Sequence, residues 1–283
     1  MISPTGNESY EEFLNAFRFS FSSVNSYNNC PRCFWLSYLQ DPKLEQSENA
    51  FAQWGSFMHS IYERFYGGKL DFFDICAEYE DQYHQKVTIQ FPPNAWVDLN
   101  EKYYEAGLDA IELIDDLPSH ISVLDIECKI RLKIRDISFV GYADLILQNT
   151  ETEDIIIVDH KSKSKFKSKA EQKEYARQLY LYSLYVKDKY GKYPSKLVFN
   201  MFRVGQMVEI DFKESDLQEA VDWFANTVSQ IYMDSEWKDK ILSEYENKQT
   251  DIAKFDRKDF FCNQLCGVRQ YCPRSQDFKA KKK

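Results

Sequence analysis

The chain has 283 residues, 43% of them hydrophobic and 29% charged, an ordinary globular composition that excludes a disordered or low-complexity protein. The net charge of -9 argues against a uniformly basic nucleic-acid coat but not against local binding of a polyanion, because the charges are unevenly spread. Residues 41–120 hold 16 acidic against 5 basic side chains, residues 161–173 hold six Lys and one Glu, and residues 251–283 carry a balance of +5. No apolar run approaches the roughly 18 residues of a membrane helix. The start, Met1 to Glu8, has neither a basic nor an apolar signal segment, so no membrane association and a cytoplasmic location are expected.

In chain order, Ser22 or Ser23 is placed to cap a helix through Val24, Tyr27, Cys30, Phe34 and Leu36, with Pro31 as a kink or a restart. Residues 50–66 space Phe51, Trp54, Met58, Ile61, Tyr62 and Phe65 along one helical face, ending at Gly67-Gly68. Further helices are expected at 70–89 and 97–116. The period then changes to two: Leu124, Ile126, Cys128, Ile130, Leu132 and Ile134 alternate with polar residues, the mark of a half-buried strand. A turn at Arg135-Asp136, strands over 138–147 and 154–161, a helix over 170–190, short strands over 196–204 and 206–212, and a helix capped by Ser215 complete the pattern. This describes one α/β domain over 1–283. It has a helical part over 20–120, an α/β core over 121–215 and a C-terminal helix with a cysteine segment over 216–283.

Seven cysteines without a secretory signal do not read as a disulfide framework. Cys76 and Cys128 stand alone and are expected to be small buried apolar residues. Cys262, Cys266 and Cys272 read C-x3-C-x5-C, and Cys30 and Cys33 lie near the other end. Three close thiols plus a fourth from the N-terminal pair suit a soft metal centre tying the ends of the chain together, either zinc or iron–sulfur.

Asp159 and Lys161, two residues apart on a strand, project to one face while His160 faces away. If that strand pairs with the preceding one in a hairpin, Asp144 shares the face. Two carboxylates bind a hard divalent cation, and a lysine beside them can act on a water or a scissile phosphate. Gln178 and Tyr182 stand one helical turn apart. His59, on an otherwise apolar helix face, reads by itself as a core residue. Glu127 is a further carboxylate, or one member of a surface ion pair with Lys129 and Arg131. Lys163, Lys165, Lys167 and Lys169 alternate beyond the strand as a nucleic-acid-binding or merely solvated loop, with Phe166 available to stack on a base. The tail Lys279 to Lys283 is another basic stretch.

The ordered set His59, Gly141-x-x-Asp144, Asp159-x-Lys161 and Gln178-x-x-x-Tyr182 resembles the PD-(D/E)XK nuclease superfamily, RecB-type branch. The phrase Ser23-Val24-Asn25-Ser26-Tyr27-x-x-Cys30-Pro31-Arg32 is similar to openings of that branch, and the cysteine layout resembles its iron–sulfur members, such as the AddB nuclease domain and CRISPR-associated RecB-like exonucleases. The resemblance implies a restriction-endonuclease-like mixed sheet flanked by helices, with an N-terminal helical region and a C-terminal cluster-binding segment. It implies a DNA nuclease, acting as an exonuclease in recombination, replication or repair, on single strands or duplex ends. Mg²⁺ or Mn²⁺ would be held by His59, Asp144 and Asp159, Lys161 would act on the attacking water, and Gln178 and Tyr182 would position the site. Cys30, Cys262, Cys266 and Cys272 would hold a [4Fe–4S] cluster. The chain has no phosphate-binding loop, so unwinding would come from a helicase or recombination partner. The resemblance also implies a bacterial or phage enzyme. The alternative is a catalytically silent nuclease-like module that binds DNA ends or a partner protein.

Overall fold

The computed structural model describes residues 10–40, 43–236, 259–272 and 274–277. Two units emerge: Ala50–Asp222, and a second assembled from Met1–Asn49 and Trp223–Lys283.

In the larger unit, helix α4 (Ala50–Tyr66; α1 to α3 belong to the other unit) buries Trp54, Phe57, Met58, Ile61 and Tyr62 along one face, as the apolar spacing dictates. It packs with α5 (Ile75–Lys86) and α6 (Leu99–Glu112) around an aromatic core of Trp54, Tyr79, Phe91 and Tyr103. Gly107 permits the close approach of α5 to α6, since a Cβ there would meet the Tyr79 hydroxyl at 2.0 Å. Both helices are shorter than the sequence predicts. The residues leading into α5 form a short 3-10 turn, Phe72–Asp74, capped by Asp71.

The sheet follows in the order β1-β2-β3-β4-β5. Strands β1 (Ile121–Ile134) and β2 (Ile137–Asn149) form a long antiparallel hairpin, closed at Arg135-Asp136 with φ of 48° and 66°. Positive φ at both turn positions matches the right-handed twist of the flanking strands. β3 (Ile155–His160) pairs antiparallel with β2 and parallel with β4 (Lys196–Met201). β5 (Gln206–Asp211) pairs antiparallel with β4. The parallel step requires a crossover, supplied by α7 (Lys169–Tyr190). Ser168 caps α7 at its start and Gly191, φ 77°, ends it. Residues 202–204, expected to continue β4, turn into a 3-10 helix because Gly205 at φ 60° closes the hairpin to β5.

The second unit contains α1 (Tyr10–Ala16), α2 (Phe21–Asn29), α3 (Pro31–Tyr38) and the later part of α8 (Glu214–Met233). The cap of α2 is Ser20, in a reciprocal capping box with Ser23, rather than Ser22 or Ser23. Of the two expectations for Pro31 the restart holds: it begins a new helix after an extended Cys30. Ser215 lies inside α8, which begins one residue earlier. Phe34 is the aromatic hub of this unit, packed against Phe17, Tyr27 and Tyr38. The two ends of the chain are joined by hydrogen bonds: Ser47 N donates to Gly267 O at 2.6 Å, Gln270 Nε2 to Glu45 O at 3.0 Å, and Arg269 to the carbonyls of Ser47 and Glu48.

Candidate active site

The centre forms where β1, β2 and β3 meet α4 and α7. Leu145 pairs with Val158 across β2 and β3, which sets Asp144 beside Asp159. Both carboxylates are shielded, with side chains 11% and 4% exposed. His160 points away and stacks on Tyr62, ring centroids 4.5 Å apart, while its backbone N–H donates to Asp144 Oδ2 at 2.7 Å. Burial drives the His160 pKa down to about 3, so it is a neutral packing residue. Asn200 anchors this strand end, contacting His160 Nδ1 at 3.0 Å and accepting the Lys161 N–H on its carbonyl at 2.8 Å.

His59 approaches from α4, with Nδ1 3.5 Å from Asp144 Oδ2. Burial lowers its pKa against the opposing Asp159 charge, with a smaller push from Lys161, which favours the neutral ring with a lone pair available to a cation. Glu127 completes the set: one ligand atom from each of His59, Glu127 and Asp144 lies within 4.8 Å of the others. Glu127 sits at φ 45°, an irregularity that re-aims its side chain into the site. Among the described residues it forms no ion pair with Lys129 or Arg131. Lys129 instead lies over the Tyr142 ring at 5.4 Å. Nothing in the alternation of β1 signals the positive φ at Glu127, and the ladder's register shift lies earlier, between Val123 and Asp125; its place opposite Asp144 in a hairpin was the available clue.

Lys161 lies on the other side of the carboxylates. Its Nζ is 2.6 Å from Asp159 Oδ2 and donates to Gln178 Oε1 at 3.2 Å. The Asp159 contact lacks hydrogen-bond geometry, so Oδ2 is buried without a hydrogen-bond partner. Gln178 Nε2 in turn donates to the Tyr182 hydroxyl at 3.0 Å. Gly141, the glycine of Gly141-x-x-Asp144, has a steric reason: a Cβ there would lie 2.5 Å from the Tyr182 ring. The glycine lets α7 close on β2, and the Tyr182–Gln178–Lys161 chain holds the lysine in place.

Electrostatically the site's carboxylates outnumber the positive charge that Lys161 brings. Burial, and then the neighbouring Asp159, push the Asp144 pKa up to about 8 despite the His160 N–H and the Lys161 charge. Burial, with Glu63 and Asp159, raises Glu127 as well. Buried carboxylates crowded with an imidazole, one oxygen lacking a hydrogen-bond partner, form a donor set that suits a divalent cation of the Mg²⁺ or Mn²⁺ kind.

The basic loop behaves differently from its sequence. Lys163 is taken up by Glu171 at 2.7 Å and by the Tyr175 ring at 4.4 Å. Phe166 is half-buried, packed on Phe199 and Tyr175. Lys165, Lys167 and Lys169 are exposed. The tail Lys279 to Lys283 lies outside the described residues.

The smaller unit gathers five thiols. Cys33 Sγ is 3.8 Å from Cys266 Sγ. Cys30 is near enough to act electrostatically on Cys262 and Cys272. The Cys266 thiol draws Cys33 down to about 6 and is itself held high, while burial lifts Cys262 to about 12. Cys76 is exposed and Cys128 half-buried, so neither is the buried apolar residue expected of it. Cys76 lies on α5 outside that helix's buried face of Ile75, Tyr79 and Tyr83.

A mixed sheet bearing paired carboxylates and a lysine at adjacent strand ends defines a nuclease-type site. The chain belongs to the PD-(D/E)XK nuclease superfamily, whose family model matches residues 18–273. The fold is accordingly the restriction-endonuclease-like one. This is a superfamily that uses divalent metals on nucleic acid. No curated protein matches the chain. Among solved structures it is similar to a candidate exonuclease from Eubacterium rectale, with 12% identity, 82% of this chain and 86% of that one covered, and a TM-score of 0.48. No helix among the described residues is long and apolar enough to cross a membrane.

Proposed function

We propose that the protein is a Mg²⁺- or Mn²⁺-dependent deoxyribonuclease of the RecB-type branch, an exonuclease serving recombination, replication or repair. The observation that carries this reading is the convergence of His59, Glu127 and Asp144 within 4.8 Å beside the Asp159–Lys161 pair. A silent binding module has no physical need for a buried acidic cluster with a lysine held against it, since each buried carboxylate costs stability. The RecB-type phrase over Ser23 to Arg32 supports the exonuclease part.

His59, Glu127, Asp144 and Asp159 would hold the cation. When bound, the cation neutralises charge on the scissile phosphate and acidifies water. Lys161, fixed by Gln178, presents a compact positive charge where negative charge develops on the phosphate. Tyr182 keeps Gln178 in the orientation that leaves its Oε1 toward the lysine. His160 N–H fixes the Asp144 carboxylate through Oδ2. The cysteine unit is read as a [4Fe–4S] site held by Cys30, Cys262, Cys266 and Cys272, with Cys33 as competitor for the first position and zinc as the competing metal. The supporting observation is that both ends of the chain bring thiols to one unit. A cluster there would convert metal binding into folding energy.

The test is cleavage of end-labelled single- and double-stranded DNA by anaerobically purified protein with Mn²⁺, Mg²⁺ or EDTA. Metal-dependent release of label, lost in Lys161→Ala, is expected. DNA bound but uncut by protein with its thiol centre intact would favour the silent module. Iron and sulfide content with broad visible absorption, against zinc content, decides the thiol centre.

A further inference from the structure

The hairpin of β1 and β2 carries a feature that the site does not use. One of its faces is buried: Ile130 and Ile134 on β1, Phe139, Gly141 and Ala143 on β2. The opposite side exposes Lys129, Arg131 and Lys133 on β1, with Tyr142 paired across from Lys129 and 49% exposed. β1 is an edge strand of the sheet. Several other cations of this unit are held by carboxylates, Lys163 by Glu171, Arg177 by Glu219, Lys189 by Asp125 and Lys196 by Glu209, whereas Lys165, Lys167 and Lys169 are exposed on the loop after β3. Among the described residues, no carboxylate forms an ion pair with Lys129, Arg131 or Lys133.

The row also has a direction. Lys129 is two residues from Glu127, whose carboxylate belongs to the donor cluster with His59 and Asp144. Alternate residues of a strand repeat every ~6.6 Å, so the three cations extend about 13 Å along β1 away from that cluster. In a chain of net charge -9, three unpaired cations in file beside a buried acidic centre form a local positive path. Evenly spaced cations suit an evenly spaced polyanion. The exposed Tyr142 ring, with the Lys129 ammonium over it, offers a stacking surface to an unpaired base, which a duplex does not present.

We infer that Lys129, Arg131, Lys133 and Tyr142 form a track for single-stranded nucleic acid that leads the strand to the His59–Glu127–Asp144 centre. The inference rests on the nuclease reading of that centre. It assigns substrate binding to the outer side of the β1–β2 hairpin, where the run of lysines after β3 would have suggested the loop.

The test measures binding without turnover. Fluorescence anisotropy in EDTA follows labelled single-stranded DNA, single-stranded RNA and blunt duplex DNA across a salt series. It compares the wild type with the triple variant Lys129→Ser, Arg131→Ser, Lys133→Ser and with Tyr142→Ala. All four positions are exposed, and coincident melting curves check the fold. The triple variant is expected to bind single strands at least tenfold more weakly. Its slope of log affinity against log salt should fall by about 2, from three lost phosphate contacts at ~0.7 each. Tyr142→Ala should weaken single-strand binding severalfold at unchanged slope. Equal losses on DNA and RNA assign the track to the backbone common to both, and loss on DNA alone assigns it to DNA. Unchanged affinity and slope in the triple variant, or an equal loss on duplex, would overturn the track. A wild type that binds through these residues but cuts nothing would overturn the nuclease reading and leave the track standing.

Discussion

The acidic centre draws His59, Glu127, Asp144 and Asp159 from four elements of one unit, with Asp144 held by the His160 N–H and the contact to His59, and Asp159 beside Lys161. The thiol cluster draws Cys30 and Cys33 from one end of the chain and Cys262, Cys266 and Cys272 from the other, with Cys33 and Cys266 sulfurs 3.8 Å apart. The first is therefore organised by the sheet and its crossover helix, and a cation would enter a frame that stands without it. The second brings together segments more than 200 residues apart, and a metal there would do much of the organising itself. Loss of metal should thus silence the first site but loosen the structure around the second.

The largest effect expected on that contrast is at Asp144. Asp144→Ala should lose Mn²⁺ binding and reduce DNA cleavage by about 10³-fold. Its melting temperature should stay close to wild type, because the change removes a buried like charge. A collapse of the fold would show that the acidic centre is as dependent on its donors as the thiol cluster. Cys266→Ser should do the reverse: lose iron and visible absorption, and melt at lower temperature, as followed by absorbance and circular dichroism. Cys30→Ser should match it and Cys33→Ser should keep the colour. Retention in the first and loss in the second would exchange their roles.

Gly141→Ala tests the frame itself. The Tyr182 ring must move from 2.5 Å, at a cost of about 1–3 kcal/mol in denaturant unfolding. Cleavage should fall as Lys161 loses its Gln178 support, while Mn²⁺ affinity holds. The smallest effect concerns pH. Asp144 has a folded pKa of about 8, above the ordinary carboxylate value of 3.8. Its protonated form thus favours the native state, and this contribution is present at acid pH and lost as pH rises from about 4 to about 8. Metal-free protein should lose stability across that window, and Asp144→Asn should flatten the slope.

Much of this was legible in the sequence because it is local. The period-two alternation over Leu124 to Ile134, the Arg135-Asp136 turn and the helix ending at Gly67-Gly68 all stand where residue type dictates. The relation of Asp159 to Lys161 follows from strand geometry alone. What the sequence did not disclose depends on partners distant along the chain. The loop lysines look free until Glu171 and Tyr175 claim Lys163. Phe166 looks free until Phe199 and Tyr175 pack against it. Glu127 looks like a surface charge until an irregular backbone turns it to Asp144. Gly141 is unexplained until Tyr182 arrives from α7, some forty residues on.

The most direct test pairs two readings on one variant. Mn²⁺ binding by calorimetry and cleavage of end-labelled DNA would be measured on wild type and Lys161→Ala. The account predicts that Lys161→Ala binds Mn²⁺ about as well as wild type and has lost cleavage by about 10²-fold or more. Cleavage retained at the wild-type rate would contradict the assignment of Lys161 and, with it, the mechanism built on this centre.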